Sequence, residues 1–185
     1  MTRLSVASSQ QDGWESTSQR NEDLLSLGGL TIDPGTLVRV LEPTAAASAV
    51  LCQRLMAGTY DKPFLVEDGK HRAMCFTIDG SVQSEMRIDD PDALVNDYTR
   101  KMMAFLLFHP EPRRALLISY GAGNTARALL ATPGLKSLTV VDPSPEILAA
   151  SAVIHGADDP LADRRVHLAM EDGRQYLRTR QEQFD

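Results

Sequence analysis

Two glycines, Gly121 and Gly123, follow an apolar run and precede an Ala/Leu-rich stretch, in the order strand, turn and helix. Glycine lets the backbone turn tightly and lets a ligand approach where a Cβ atom would clash. The following helix would offer the free amides of its first turn to a polar or anionic group. With Ala126, the pattern also satisfies a dinucleotide-binding fingerprint, so it predicts a nucleotide site without fixing the nucleotide.

Two aspartates stand at the ends of the next two apolar runs. Asp142 lies 21 residues after Gly121, a spacing at which an acid can accept both hydroxyls of a ribose. Asp172 could accept a hydrogen bond from an adenine amino group. Both have plainer interpretations, because aspartate is also common in turns and at helix N-caps. Since ligands of open α/β sheets bind at the carboxyl ends of the strands, we expect an adenosine-type site at this edge.

Strands and helices alternate after residue 113, which predicts a parallel sheet covered by helices. The predicted strands are 115–119, 138–141 and 166–170, and the predicted helices are 125–130, 145–154 and 174–180. A longer helix is predicted over 91–108, where apolar residues recur at spacings of three and four.

The N-terminal part has a different pattern. Short apolar runs at 64–66, 73–78 and 81–86, separated by Asp-Gly turns, predict a small antiparallel meander. Dinucleotide-binding domains usually begin at their glycine strand, so this preceding meander favours the S-adenosylmethionine type of domain. We therefore predict an α/β chain with a disordered tail at 1–22, a segment with a β-meander at 23–90, and an incomplete nucleotide-binding α/β domain of the S-adenosylmethionine type at 91–185.

Composition limits the partners. The 185 residues carry a net charge of −6, which argues against nucleic acid as a partner, because nucleic-acid binding needs a basic surface. The chain has no apolar run of about 18 residues and no signal peptide, so we expect no membrane partner and a cytoplasmic location. Cys52 and Cys75 show no metal-binding spacing, and no metal is expected. Residues 116–118 of the first predicted strand are expected to form an exposed apolar edge, which favours either aggregation or a homodimer.

Five motifs occur in order along the chain. They are Tyr60, Asp79-Gly80-Ser81-Val82-Gln83, His109-Pro110-Glu111-Pro112, Leu116-Leu117-Ile118 with the glycine turn, and Glu171-Asp172-Gly173-Arg174. As a set they resemble the polyamine aminopropyltransferases, or spermidine synthases. The resemblance implies a small β-domain joined to a methyltransferase-like Rossmann domain. It also implies decarboxylated S-adenosylmethionine as aminopropyl donor and a small-molecule polyamine as acceptor.

The resemblance also assigns roles by position. It implies that Gln83, Asp142 and Asp172 contact the donor, and that Tyr60, Asp61 and Tyr98 contact the substrate. The catalytic acid of the family follows a fourth strand, so the catalytic residue is unknown here and is expected beyond residue 185. We accordingly interpret the chain as truncated at its C-terminus and expect no activity from it alone.

Four positions depart from the family pattern. Ala122 stands where the glycine loop of the family carries an aspartate for the donor's ammonium group. Thr99 and Arg100 follow Tyr98 in place of His and Glu, and Asp61 replaces a glutamine. These departures indicate a divergent branch. An S-adenosylmethionine-dependent methyltransferase, a non-catalytic nucleoside-binding homologue and a dinucleotide enzyme remain alternatives.

Overall fold

The chain forms two compact units, Met1–Asp89 and Asp90–Asp185. The structure, a computed structural model, describes side chains for residues 53–54, 57–67, 69–76 and 82–185. For residues 4–8, 14–19 and 37–43 it describes the backbone alone.

The first unit contains a six-stranded antiparallel sheet in which each strand pairs with the next along the chain. The strands are β1 Leu4–Ser8, β2 Trp14–Gln19, β3 Leu37–Pro43, β4 Phe64–Glu67, β5 His71–Cys75 and β6 Ser84–Arg87. The predicted meander is thus the second half of a larger sheet. The predicted turn at Asp79-Gly80 lies outside the described residues.

The described core of this unit is centred on β4. Phe64, Leu65 and Val66 are all buried, so both faces of the strand are covered, because successive side chains point to opposite faces. In the pairing of β4 with β5, Phe64 lies opposite Cys75 and Leu65 lies opposite Met74. Cys75 and Met74 are also buried.

The segment predicted as a disordered tail, 1–22, differs in the structure, where β1 and β2 pair along their whole length from Leu4↔Gln19 to Ser8↔Glu15. The low hydrophobicity of the segment suggested disorder, since few of its side chains can support a core. Pairing of backbone amides and carbonyls does not depend on apolar side chains, and β2 is also paired to β3.

The second unit contains a three-stranded parallel sheet in the order β7, β8, β9. Its elements are α1 Asp97–Met102, β7 Arg114–Ile118, α2 Asn124–Leu130, β8 Ser137–Val141, α3 Pro145–His155, β9 Val166–Ala169 and α4 Gly173–Thr179. Short 3₁₀ helices follow α1 and α3, at Met103–Leu107, Gly156–Asp158 and Pro160–Ala162. A parallel α/β sheet that follows an antiparallel sheet in the chain confirms the predicted fold class.

The strand β8 is central to the parallel sheet and is buried throughout its last four residues, Leu138–Val141. The strand β7 lies at one edge of the described sheet, as the sequence predicts. Leu117 on this strand is buried, Leu116 is half-buried and Ile118 is 44% exposed, so the exposed part of the edge is smaller than expected.

The helix predicted over 91–108 is shorter in the structure. A turn closed by the Ala93 amide and the Asp90 carbonyl replaces its first residues, because aspartate followed by Pro91 favours a β-turn. The α-helix begins after Asn96 and continues as a 3₁₀ helix from Met103. Tyr98 and Met102, predicted on its apolar face, are about half exposed, at 52% and 47%.

Candidate functional site

The candidate site is centred on the glycine loop, residues 119–123, which connects β7 to α2. Gly121 and Gly123 have φ angles of 58° and 83°, and Ser119 has a φ of 69°. Positive φ is easy for glycine and costly for serine, whose Cβ atom crowds the backbone. The predicted glycine turn is therefore present, and one of its residues, Ser119, is strained.

The side chain of Tyr120 fills the space beneath the loop. It is buried, and its hydroxyl donates to Asp159 Oδ1 at 2.8 Å. A Cβ atom on Gly123 would lie 2.7 Å from this hydroxyl oxygen, so position 123 requires glycine for space as well as for φ. Burial raises the pKa of the Tyr120 phenol, which keeps the hydroxyl protonated as the donor to Asp159.

The carboxylate of Asp142 ties the loop to the end of β8. Its Oδ2 accepts the Tyr120 amide at 2.8 Å and its Oδ1 accepts the Ser144 amide at 2.9 Å. The residue is only 3% exposed. A carboxylate can accept about four hydrogen bonds, so these two amides leave acceptor capacity for a ligand. The ribose role of Asp142 stays a prediction.

Asp172 lies at the carboxyl end of β9, the strand next to β8. Its Oδ1 accepts the Gln175 amide at 2.9 Å, which makes it the N-cap of α4. The side chain is exposed, and its role toward a ligand is also untested. The glycine loop, Asp142 and Asp172 thus lie at the same edge of the parallel sheet, because they follow three adjacent parallel strands.

A second set of side chains holds the loop from the end of α3. The carbonyl oxygen of Ala122 lies 2.5 Å from His155 Nε2 and 3.4 Å from Ser151 Oγ. Ser151 and His155 are buried. The Arg127 Nη2 atom lies 3.2 Å from His155 Nδ1 and donates to the Asp158 carbonyl at 2.7 Å. We call Ser151, His155 and Asp159 the loop clamp.

Three predicted site residues belong to the first unit. Tyr60 is buried, packs edge-on against Phe64 at 6.3 Å between ring centroids, and lies under the Arg54 guanidinium. Asp61 is exposed and forms an ion pair with Arg54 at 3.1 Å. Gln83 is exposed, and its amide donates to the Met74 carbonyl. Tyr60 is thus part of the described core, and the ligand roles of all three residues, and of Tyr98 in the second unit, stay predictions.

A cavity of about 250 Å³ lies elsewhere in the second unit, between the α1 region, β7 and α2. Its lining residues are Met102, Met103, Phe105, Pro112, Ala115, Leu116, Leu117, Thr125, Leu129 and Asp185. None of the predicted ligand-binding residues lines it. Among the described residues, no group of acidic, histidine or cysteine side chains could hold a metal ion, and no helix could cross a membrane.

Comparison with known proteins gives partial sequence matches. A polyamine aminopropyltransferase of Chromobacterium violaceum is 37% identical over 71 residues, which cover 38% of this chain and 27% of that protein. Another, of Neisseria meningitidis, is 30% identical over 113 residues, covering 60% of this chain and 42% of that protein. This chain resembles the polyamine aminopropyltransferases. The matches confirm the resemblance that the motifs indicated, and the matched part spans less than half the length of these relatives.

Solved structures similar to this aminopropyltransferase-like chain include two spermidine synthases. A probable spermidine synthase from Corynebacterium glutamicum is 23% identical, with a TM-score of 0.48 over 63% of this chain and 44% of that chain. Spermidine synthase from Thermotoga maritima is 16% identical, with a TM-score of 0.44 over 99% of this chain and 45% of that chain. No protein-family model matches the chain.

Five residues in or beside the glycine loop of this aminopropyltransferase-like chain were not predicted as site residues from the sequence: Ser119, Tyr120, Ser151, His155 and Asp159. Tyr120 could have been noticed as a neighbour of the turn, because it directly precedes Gly121, but its burial against Gly123 is visible only in the structure. His155 and Asp159 lie more than 30 residues away from the loop, and their contact with it depends on how α3 packs.

Proposed function

We propose that this chain is part of a spermidine-synthase-like transferase that moves an aminopropyl group from decarboxylated S-adenosylmethionine to a polyamine amine. The observation that supports this most is the tie between the glycine loop and Asp142, at 2.8 Å from the Tyr120 amide, in a chain similar to aminopropyltransferases. That tie joins the two elements expected to hold the adenosine part of the donor.

In the proposed reaction the amine nitrogen attacks the carbon bonded to the donor's sulfonium sulfur. The new C–N bond forms as the C–S bond breaks, methylthioadenosine leaves with the electron pair, and a base accepts the proton of the amine. Placing the amine in line with the C–S bond lowers the barrier by fixing orientation. The described residues of this chain would hold the adenosine, and the base is not assigned to any of them.

Asp142 is suited to the ribose because it is held rigidly. Two backbone amides fix its carboxylate, and hydrogen bonds to a charged acceptor are worth about 1.5–3 kcal/mol. Asp172, which follows the adjacent strand β9, would accept from the adenine amino group through Oδ2, since its Oδ1 caps α4.

One observation supports a second candidate, an S-adenosylmethionine-dependent methyltransferase. Position 122 is an alanine that is 1% exposed, so the loop offers no carboxylate there to the ammonium group of the decarboxylated donor. An enzyme without a carboxylate at this position forms no ion pair with the ammonium group there. We therefore expect it to discriminate less between the decarboxylated and the ordinary donor. A non-catalytic nucleoside-binding homologue would share the adenosine site and transfer nothing.

Calorimetry with variant ligands tests the adenosine site without disturbing the protein. We expect 5′-methylthioadenosine to bind, and its 2′-deoxy analogue to bind about tenfold or more weakly, because one hydrogen bond to a charged acceptor is lost. Equal affinity for the two ligands would contradict the ribose role of Asp142.

Comparison of the two donors then separates the candidate functions. Because Ala122 supplies no carboxylate, we expect only weak preference for decarboxylated over ordinary S-adenosylmethionine, and Ala122→Asp should increase it. A preference of about a hundredfold in the unchanged protein would mean that another acid, with Asp61 as the candidate, binds the ammonium; such a charge-assisted bond is worth several kcal/mol at most.

An assay with putrescine and decarboxylated S-adenosylmethionine tests our expectation that these 185 residues alone show no turnover.

A further inference from the structure

Tyr120 is held at both ends, and each end is bound by a different carboxylate. Its backbone amide donates to Asp142 Oδ2 and its hydroxyl donates to Asp159 Oδ1, both at 2.8 Å. The residue is 3% exposed. Tyr120 therefore connects the acid at the end of β8, which is predicted to hold a ribose, with an acid that follows α3.

Asp159 is a fixed anchor for the tyrosine. The same Oδ1 atom accepts the Leu161 amide at 3.0 Å, which makes Asp159 the N-cap of the 3₁₀ helix Pro160–Ala162. The hydroxyl of Ser151, a buried residue of α3, lies 3.5 Å from this oxygen. Because the carboxylate is held by the 3₁₀ helix and contacts α3, it fixes the position of the Tyr120 hydroxyl.

The tyrosine ring supports the glycine loop. A Cβ atom on Gly123, the N-cap of α2, would lie 2.9 Å from the ring carbon that bears the hydroxyl. Three of the five loop residues have positive φ, and one of them is the strained Ser119. Strained backbone persists only where the surrounding structure holds it. We therefore expect the loop to become less firmly fixed when the Tyr120 hydroxyl is removed.

The orientation of the Asp142 carboxylate depends on this loop. The carboxylate is held by the Tyr120 amide through Oδ2 and by the Ser144 amide through Oδ1. Ser144 follows β8, the strand that also precedes Asp142, whereas Tyr120 follows β7, so movement of the loop loosens the first bond alone. A binding group has to stay within about 0.5 Å and about 10–20° of its productive geometry. With one firm bond left, the carboxylate is free to turn.

We propose that Tyr120, anchored by Asp159, is a positioning residue that directs the Asp142 carboxylate toward the ribose hydroxyls of an adenosine-type ligand. The Tyr120 hydroxyl does not contact the ligand and acts through the loop and through the amide of the same residue. The ligand part of this inference rests on the proposed function, whereas the link between the Tyr120 hydroxyl and the Asp142 bond does not.

Calorimetry with 5′-methylthioadenosine and its 2′-deoxy analogue tests the proposal, because the analogue lacks one of the hydroxyls that Asp142 would bind. The unchanged chain should prefer the ribose ligand by about tenfold or more, and Tyr120→Phe should reduce this preference to about threefold or less. A general loss of stability weakens binding of both ligands alike. An undiminished preference in Tyr120→Phe would therefore overturn the proposal.

Tyr176→Phe is the matched control for the loss of a tyrosine hydroxyl. Tyr176 on α4 is also buried, and its hydroxyl donates to a carboxylate, that of Glu182, at 3.0 Å. Since this bond has no link to the glycine loop, the variant should keep the preference of the unchanged chain. The same reduced preference in both phenylalanine variants would show that the effect is not specific to Tyr120.

Variants of Asp159 test the anchor. Asp159→Asn keeps an oxygen that can accept from the Tyr120 hydroxyl and the Leu161 amide, so it should retain the preference for the ribose ligand. Asp159→Ala removes the acceptor and should lower the preference as far as Tyr120→Phe does. Tyr120→Phe combined with Asp159→Ala should lower it no further, because both changes break the same bond. Additive losses in the double variant would contradict the role of Asp159.

Hydrogen exchange of the ligand-free chain gives a second measurement. Absence of methylthioadenosine binding to the unchanged chain would contradict the proposed function, and exchange would still decide the role of Tyr120. The amide of residue 120 should exchange about tenfold faster in Tyr120→Phe than in the unchanged chain, relative to the amides of β8, which report global opening. In Tyr176→Phe it should not change. Equal exchange at residue 120 in Tyr120→Phe and the unchanged chain would exclude the positioning role.

Discussion

At the scale of single residues, Ser119 shows that the glycine loop is under local strain. Its φ of 69° is the only positive value among the described residues other than glycine. The amide of Ser119 is nevertheless paired with the Val141 carbonyl at 2.8 Å, so the sheet holds the residue in place. A strained residue beside a predicted binding edge is consistent with a loop whose shape is fixed for a ligand.

Replacing Ser119 by glycine should stabilise the second unit. A left-handed conformation costs a residue with a Cβ atom about 1–2 kcal/mol, whereas glycine in the unfolded chain costs roughly 0.5–1 kcal/mol in entropy. We expect Ser119→Gly to raise the free energy of unfolding in urea by up to about 1 kcal/mol. Ser137→Gly, on β8, should lower it; if both changes are destabilising, Ser119 is not strained.

Asp142 combines a predicted ligand role with a structural role that the hydrogen bonds show. Sequence spacing predicts a ribose contact, and the structure shows a buried carboxylate that holds the Tyr120 and Ser144 amides. A change of Asp142 to alanine would remove both bonds, so a loss of ligand affinity in that variant would mix binding with folding. The ligand analogues described above avoid this difficulty.

At the scale of elements, Asp172, the residue before α4, has one observed role and one predicted role. Asp172 caps the helix through the Gln175 amide, and Gly173 packs so closely on Ile118 that a Cβ atom would clash with that side chain. The start of α4 is therefore fixed by a hydrogen bond and by contact with β7.

Variants of Asp172 can separate its cap role from its ligand role. Asparagine caps helices about as well as aspartate, whereas alanine costs about 1 kcal/mol. We therefore expect Asp172→Asn to keep the unfolding midpoint and Asp172→Ala to lower stability by about 1 kcal/mol, measured by circular dichroism in urea. If adenosine-type ligands contact this carboxylate, Asp172→Asn should weaken their binding while stability stays unchanged; unchanged affinity would leave Asp172 as a cap alone.

At the scale of the whole molecule, stability should depend on pH through an ionisable group in the core of the first unit. The first unit buries the Cys75 thiol, and burial, with Glu85 nearby, raises the pKa of Cys75 to about 11. Between pH 9.0 and about 11 the folded protein therefore keeps the thiol proton, whereas the unfolded chain, with a pKa near 9.0, loses it. The contribution of the protonated Cys75 thiol to the free energy of unfolding is complete below pH 9 and is lost as pH rises through 11.

Alkaline unfolding should therefore depend on Cys75. Between pH 8 and about pH 10.5, the unchanged protein should lose about 2 kcal/mol more stability than Cys75→Ala, from the difference between the two pKa values. Fluorescence of Trp14, the single tryptophan of the chain, gives a signal from the first unit. Parallel pH dependence in the two proteins would show that the thiol does not titrate differently on unfolding.

Sequence predicted those features that depend on neighbouring residues. Strand and helix positions from Arg114 to Thr179 agree with the structure to within about two residues, because turns such as Pro133-Gly134 and caps such as Ser144 separate them locally. The pairing of β1 with β2 was missed, since it depends on backbone hydrogen bonds in a polar segment. The loop clamp was missed as well, because it is assembled by packing of α3 against a loop far away in sequence.

The contact between Tyr120 and Gly123 has a consequence for how this loop can evolve. A side chain at 123 would meet the Tyr120 ring at 2.9 Å, and φ at 123 is positive. Substitutions at 123 are therefore harmful while Tyr120 is present and become less so once it is replaced by a small residue. The order of mutations matters, a case of epistasis between two positions three residues apart. Descendants that lose the tyrosine first would have access to loop sequences that remain closed to this one.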